Sequence, residues 1–126
     1  MKFIIDSYAW IEYLDGSTRG KSIKDVLVEN NEVYTISLTI AEVVSRAKRK
    51  NKDTTVAYET INTNSIIIDI TPEMANEAGL FHATIREKIK DFGLVDSLIF
   101  IAARKLGAKI VTGDPHFKSF KETILI

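Results

Sequence analysis

Residues Phe92 to Phe117 read FGLVDSLIFIAARKLGAKIVTGDPHF, and this stretch decides the fold. Leu94, Leu98, Ile101 and Ala102 recur at i, i+4, i+7 and i+8, the spacing of one helical face, which predicts a helix from Leu94 to Leu106. Gly107 stops it, in the role where glycine sits easily at positive φ. Lys109 to Thr112, KIVT, follow as a β-branched run short enough to be a buried parallel strand. Asp96 does not belong to this apolar reading. It lies among Val95, Leu98 and Ile99, and a second acid, Asp114, follows the strand.

Outward from this stretch, strands and helices alternate. Lys2 to Ile5 (KFII) read as a strand, Asp6 and Ser7 follow, and YAWIEYL reads as a helix. Arg19 to Asn30 carry Ile23, Val26 and Leu27 at helical spacing. Val33 to Ser37 form a second strand, and from Thr39 a helix places Ile40, Val43, Val44 and Ala47 on one face. Asp53 caps a fourth helix, SIIIDI from Ser65 is a third strand, and Thr71-Pro72-Glu73 open a long helix continuing to about Lys90. Glu122 to Ile126 form the last strand. The alternation predicts a mostly parallel sheet with helices on both faces, in one domain spanning residues 1–126. In such a sheet the ligand site lies outside the carboxyl ends of the strands, where the topology changes direction.

Composition narrows the function classes. With 45% hydrophobic and 27% charged residues, the chain has the make-up of a soluble globular protein. It has no apolar run near the length of a membrane span and no signal-peptide pattern, so a cytoplasmic location away from membranes is expected. Cysteine is absent, which leaves oxygen atoms and the two histidines as metal ligands. A formal charge of zero argues against a basic coat for nucleic acid but permits a local basic stripe.

Four acids fall at one predicted edge: Asp6 after the first strand, Glu42 early in the helix after the second, Asp96 near the start of its helix, and Asp114 after KIVT. Each alone has a plain structural reading. Asp6 can cap a helix, Asp114 in Gly-Asp-Pro can make a turn, and Glu42 can be a solvated helix face. Asp96 resists such a reading best, since a buried acid without a partner costs several kcal/mol or takes up a proton. Carboxylates gathered at one edge repel, and a hard divalent cation, Mg2+ with Mn2+ as substitute, answers that repulsion. Such an ion polarises a phosphoryl oxygen and acidifies water, so the chemistry expected is hydrolysis of a phosphodiester.

The segments FIIDSYAWIEYL, SLTIAEVV, FGLVDSLIFIAA and IVTGDPHF together resemble, in order and over nearly the whole chain, the PIN-domain ribonucleases, and among them the single-domain VapC toxins. The resemblance implies a three-layer α/β/α sandwich with a five-stranded sheet in the order 3-2-1-4-5. It also implies an Mg2+- or Mn2+-dependent endoribonuclease of RNA, a VapB-like antitoxin partner whose tail blocks the site, and a homodimer. By position, Asp6, Glu42, Asp96 and Asp114 become the metal carboxylates, Thr112 a hydroxyl that hydrogen-bonds within the site, and Ser7 a second such hydroxyl. The chain departs from the family where many relatives carry a further acid, two residues after Asp114; here His116 stands, a candidate for contact with substrate or metal.

The basic run RAKRKNK, with Arg46, Lys48, Arg49, Lys50 and Lys52, is a candidate guide for the RNA backbone; it also reads as a solvated helix end whose cations suit the dipole. Arg86, Lys88 and Lys90 are a further candidate, and His82 reads as a packed or surface histidine. Competing functions are a PIN-domain nuclease of housekeeping RNA processing, a non-catalytic PIN-like binding module, and a receiver-like signalling domain. The last would want an acid pair after the first strand, where this chain has Asp6-Ser7.

Overall fold

The computed structural model describes residues 1–28 and 30–126. Among these residues five strands, β1 (Lys2–Ile5), β2 (Glu32–Ile36), β3 (Ile66–Ile68), β4 (Lys109–Thr112) and β5 (Thr123–Leu125), form one sheet in the order β3-β2-β1-β4-β5. Every pairing is parallel: Phe3 is opposite Val33 on one side, and Ile5 is opposite Val111 on the other. The chain therefore winds outward from β1 through β2 to β3, then returns to the other side of β1 for β4 and β5. The topological switch lies between β1 and β4.

Among the described residues six helices cover the sheet: α1 (Ser7–Leu14), α2 (Lys21–Val26), α3 (Ser37–Arg49), α4 (Thr54–Asn64), α5 (Pro72–Ile85) and α6 (Leu94–Leu106). The four earlier helices bury Trp10, Ile23, Val43, Ala57 and Ile61 against Phe3, Ile5, Val33 and Val111. On the other face α5 and α6 bury Met74, Ala78, Ile99 and Ala103 against Ile4, Ile36 and Ile110. Odd and even residues of the strands thus serve opposite layers, as the period of two requires. Trp10 is fully buried, and its indole N–H is satisfied by Thr35 Oγ1 at 3.1 Å.

Helix α6 and strand β4 have the bounds expected from periodicity, and Gly107 adopts φ 66°, the left-handed conformation that ends α6. Asp53 caps α4 through the N–H of Val56 at 3.0 Å, and Thr71 caps α5 through that of Met74 at 3.1 Å. Other bounds differ. The helix expected over Arg19 to Asn30 spans only Lys21–Val26, because the Asn31 amide donates to the Val26 carbonyl and closes the helix there; Glu29, within that expectation, lies outside the described residues. Helix α5 stops at Ile85, short of Lys90. Both Lys88 and Ile89 donate their N–H to the Ile85 carbonyl, a turn that carries Ile89 back onto the core. Strand β2 ends at Ile36 and α3 begins at Ser37, two residues before the expected Thr39, so Glu42 stands in the second turn of α3. Strands β3 and β5 are shorter than expected by their flanking residues.

Candidate functional site

At the carboxyl ends of β1 and β4, Asp6 and Asp114 are joined through a buried hydroxyl. Asp6 is the N-cap of α1: its Oδ1 accepts the N–H of Ala9 at 2.9 Å, and its own N–H donates to Val111 of β4 at 3.2 Å. Thr112, the last residue of β4, is fully buried; its hydroxyl donates to Asp6 Oδ2 and accepts the N–H of Asp114 at 2.9 Å. Asp114 in turn caps the short 3-10 turn Pro115–Phe117, accepting the His116 N–H at 2.9 Å. The helix-cap reading of Asp6 and the turn reading of Asp114 are therefore both true, and each residue follows one of the two strands that border the switch point.

Asp96 enters from the other helix layer. At the third position of α6 its Oδ2 accepts the N–H of Gly93 at 3.1 Å, the acidic half of a capping box. A side chain at position 93 would crowd this contact, since its Cβ would lie 3.3 Å from Asp96 Oδ2. The pattern Gly-x-x-Asp before an apolar run signals such a cap, a sign that reading Asp96 as a misplaced acid leaves unused. One ligand atom from each of Asp96, Asp114 and His116 fits within a set whose members all lie within 4.8 Å of one another. His116 thus belongs to the tightest group, with its Nδ1 3.4 Å from Asp114 Oδ1. Asp6 and Glu42 stand outside this group: Asp6 is linked to it through the Thr112 hydroxyl and the Asp114 N–H, and Glu42 through its charge interaction with Asp96.

The charges register one another. Asp6, only 4% exposed, is raised from 3.8 to about 7, chiefly by burial; the Thr112 hydroxyl and the Ala9 N–H oppose this, and the charges of Asp96 and Asp114 add to it. Burial also raises Asp96, opposed by the Gly93 N–H and reinforced by Asp114. Glu42 is an exposed residue, yet its carboxyl is raised, chiefly by partial burial; the Ser7 hydroxyl counters the shift and Asp96 strengthens it. All four acids therefore belong to one electrostatic cluster. Its donors are carboxylate oxygens with one imidazole, a set that suits a hard or borderline divalent cation such as Mg2+ or Mn2+, and a cation would offset both the burial and the repulsion.

An aromatic cluster under the site escapes the sequence reading. Phe81, Phe92, Phe100, Phe117 and Phe120 interlock, with Phe92 and Phe117 centred 5.3 Å apart edge to face and Phe81 stacked on Phe100 at 4.3 Å. Phe92 lies just before the start of α6, which carries Asp96, and Phe117 ends the turn that Asp114 caps, so the pair fixes the two acid-bearing segments to one another. Tyr8 covers the other side: a Cβ on Gly113 would meet its ring at 2.0 Å, so any side chain in Thr-Gly-Asp-Pro would have to displace Tyr8. Nothing in the spacing of these residues marks such contacts.

The basic run is less closely tied to the acids. Arg46 pairs with Asp15 at 3.4 Å, and Lys52 pairs with the same carboxylate at 2.8 Å. Lys48, Arg49 and Lys50 are exposed where α3 reaches the amino edge of the sheet, about 9 to 12 Å along the helix from Glu42 at 1.5 Å per residue.

Comparison with known proteins accords with this architecture. No curated protein matches the chain. Among solved structures, VapBC2 from Rickettsia felis, bound to a DNA fragment from its promoter, superposes with a TM-score of 0.75 at 20% identity, covering 100% of this chain and 98% of that one. VapC20 of Mycobacterium tuberculosis, a toxin that cleaves the sarcin-ricin loop, gives 0.73 at 17% identity over 94% of this chain and 95% of that one. VapBC-1 of nontypeable Haemophilus influenzae gives 0.71 at 19% identity over 97% and 92%. These likenesses are of fold. The PIN domain family model matches residues 3–122, nearly the whole chain, with Asp6, Glu42, Asp96 and Asp114 inside the match, and this protein belongs to the PIN-domain family.

Proposed function

We propose that this chain is a divalent-metal-dependent endoribonuclease acting as the toxin of a VapBC-type toxin-antitoxin pair. The observation that carries the reading is the convergence of Asp6, Glu42, Asp96 and Asp114 at the switch point of a PIN fold, with the carboxyls of Asp6, Glu42 and Asp96 raised by burial and by neighbouring acids. Asp6, Glu42, Asp96 and Asp114 would hold Mg2+ or Mn2+, with His116 beside them. The bound ion would polarise the phosphoryl group, lower the pKa of a water and offset charge on the departing oxygen.

The chain's own groups supply position and charge. Thr112 holds Asp6 and the backbone of Asp114 through one hydroxyl, so the two strand-end carboxylates keep a fixed relation. Ser7 steadies the Glu42 carboxyl, and the N-termini of α1 and α6 favour anionic groups near the scissile phosphate. In the reaction water adds to phosphorus as the P–O3′ bond breaks. One fragment leaves with a 3′-hydroxyl, which takes up a proton, and the other carries the 5′-phosphate. A carboxylate oxygen of the cluster not engaged by the ion would accept the proton that water gives up. Lys48, Arg49 and Lys50 offer cations to RNA backbone further along the strand, while Arg46 is occupied by Asp15.

The VapBC structures of like fold support a VapB-like antitoxin as partner, and self-association into a homodimer is what the resemblance to the VapC toxins implies. The test is cleavage of single-stranded and looped RNA followed by analysis of the ends. Mg2+- or Mn2+-dependent products with 5′-phosphate and 3′-hydroxyl ends, abolished by EDTA, are expected; products formed undiminished in EDTA would overturn the reading.

A further inference from the structure

The peptide group between Phe92 and Gly93 is engaged at both ends. Its carbonyl oxygen lies 2.9 Å from His82 Nε2, and its N–H donates to Asp96 Oδ2 at 3.1 Å. A carbonyl can only accept, so Nε2 carries the hydrogen. The peptide is trans and planar, which means that the direction of the carbonyl sets that of the N–H on its far side. Glycine at 93 has little preference of its own about φ, and an external contact must choose the orientation of this plane. We infer that His82 is a positioning residue, which aims the Asp96 carboxylate by holding the Phe92–Gly93 peptide plane. This rests on the metal-site reading given above.

Three features favour this role over plain packing. His82 is half-buried on α5, a helix that contributes none of the acids, and its Nε2 hydrogen bond spans from that helix to the loop. Phe92 is 1% exposed, so its carbonyl sits where a missing donor is not readily replaced by water. A donor on the carbonyl also polarises the amide and strengthens the N–H as a donor to Asp96. The remaining contacts of the loop lead the same way: Ser97 donates its hydroxyl to the Gly93 carbonyl at 3.1 Å, leaving Asp96 to be oriented by the peptide before it.

The experiment compares wild type, His82→Leu, which lacks the donor, and His82→Gln, whose amide keeps one. Amide hydrogen exchange is measured at Gly93 without metal, with Ile110 in β4 reporting global opening, and Mn2+ is titrated by calorimetry. Expected for His82→Leu is about a tenfold loss of protection at Gly93 beyond any change at Ile110, and about a tenfold weaker Mn2+ affinity, with His82→Gln restoring most of both. Wild-type exchange at Gly93 in His82→Leu would overturn the inference, as would unchanged Mn2+ affinity, or equal losses in both variants. If wild type takes up no Mn2+, or Asp96→Asn takes it up as wild type does, the metal reading fails, and exchange at Gly93 still decides whether His82 holds the peptide.

Discussion

Replacing Asp6 by asparagine should change how stability depends on pH, and the direction follows from burial. In the folded protein Asp6 is raised from 3.8 to about 7, so the native state holds a proton that the unfolded chain has released over that interval. A group of this kind contributes stability that is complete below about pH 4 and is lost as pH rises through about 7. At 1.36 kcal/mol per pKa unit the full interval corresponds to roughly 4 kcal/mol. Asparagine keeps the shape, and its carbonyl can still accept the Ala9 N–H, but it does not titrate. Urea unfolding in EDTA between pH 4 and pH 7.5, followed through the single tryptophan, Trp10, reads the effect. Wild type should lose several kcal/mol relative to Asp6→Asn across this range, and the two should converge at the acid end once the constant cost of the substitution is subtracted. Parallel curves would refute the reasoning, since they would mean that Asp6 is not held in a cavity that penalises its charge. Adding Mn2+ at pH 7 should stabilise wild type, by favouring the ionised form, and should do little for the variant.

Further outcomes follow from the same geometry. Thr112→Val removes the hydroxyl between Asp6 and the Asp114 N–H and should cost about 1 to 3 kcal/mol by denaturant unfolding at pH 5, with weaker Mn2+ binding. Phe117→Ala opens the aromatic cluster beneath the acids, and a loss of about 3 to 5 kcal/mol is expected in the same assay. Gly113→Ala should disrupt the site through Tyr8, and Tyr8→Ala added to it should recover metal binding; no recovery would mean that the clash is not the cause. Replacing Lys48, Arg49 and Lys50 by alanine should flatten the dependence of RNA affinity on salt by about 0.7 in log–log slope for each phosphate that a cation no longer neutralises, and an unchanged slope would remove this run from the interface.

What can be read from the sequence is set by local rules, and what cannot is set by contacts between distant residues. The span Leu94–Leu106 and the strand Lys109–Thr112 follow from periodicity and a terminal glycine, and the match is close because both are buried elements with clear stops. The placing of four acids at one edge follows from their positions after the carboxyl ends of parallel strands, which the alternation of elements predicts, whereas the strand order is implied only by the family resemblance. The end of α5 is not legible because Arg86 to Lys90 are acceptable helix formers, and only the return of Ile89 to the core breaks the helix. His82 reads as an ordinary packed histidine, since nothing near it in sequence shows that Phe92 lies within reach of its ring. His116 is a candidate by its address two residues after Asp114, and the turn that Asp114 caps brings it into the tight donor group. The cap at Gly93 is legible by itself, but its meaning depends on a carboxylate whose purpose only the assembled site makes plain.

Cleavage of end-labelled RNA by Asp96→Asn, beside wild type and at saturating Mg2+ or Mn2+, tests the central claim most directly. The change is nearly isosteric, keeps an acceptor for the Gly93 N–H, and removes one negative charge from the cluster. Expected are a folded protein, at least as stable as wild type near neutral pH because burial and Asp114 disfavour the Asp96 charge, and cleavage reduced by at least about a hundredfold, in line with the loss of an electrostatic contact to the reacting group. Cleavage at the wild-type rate would contradict the claim.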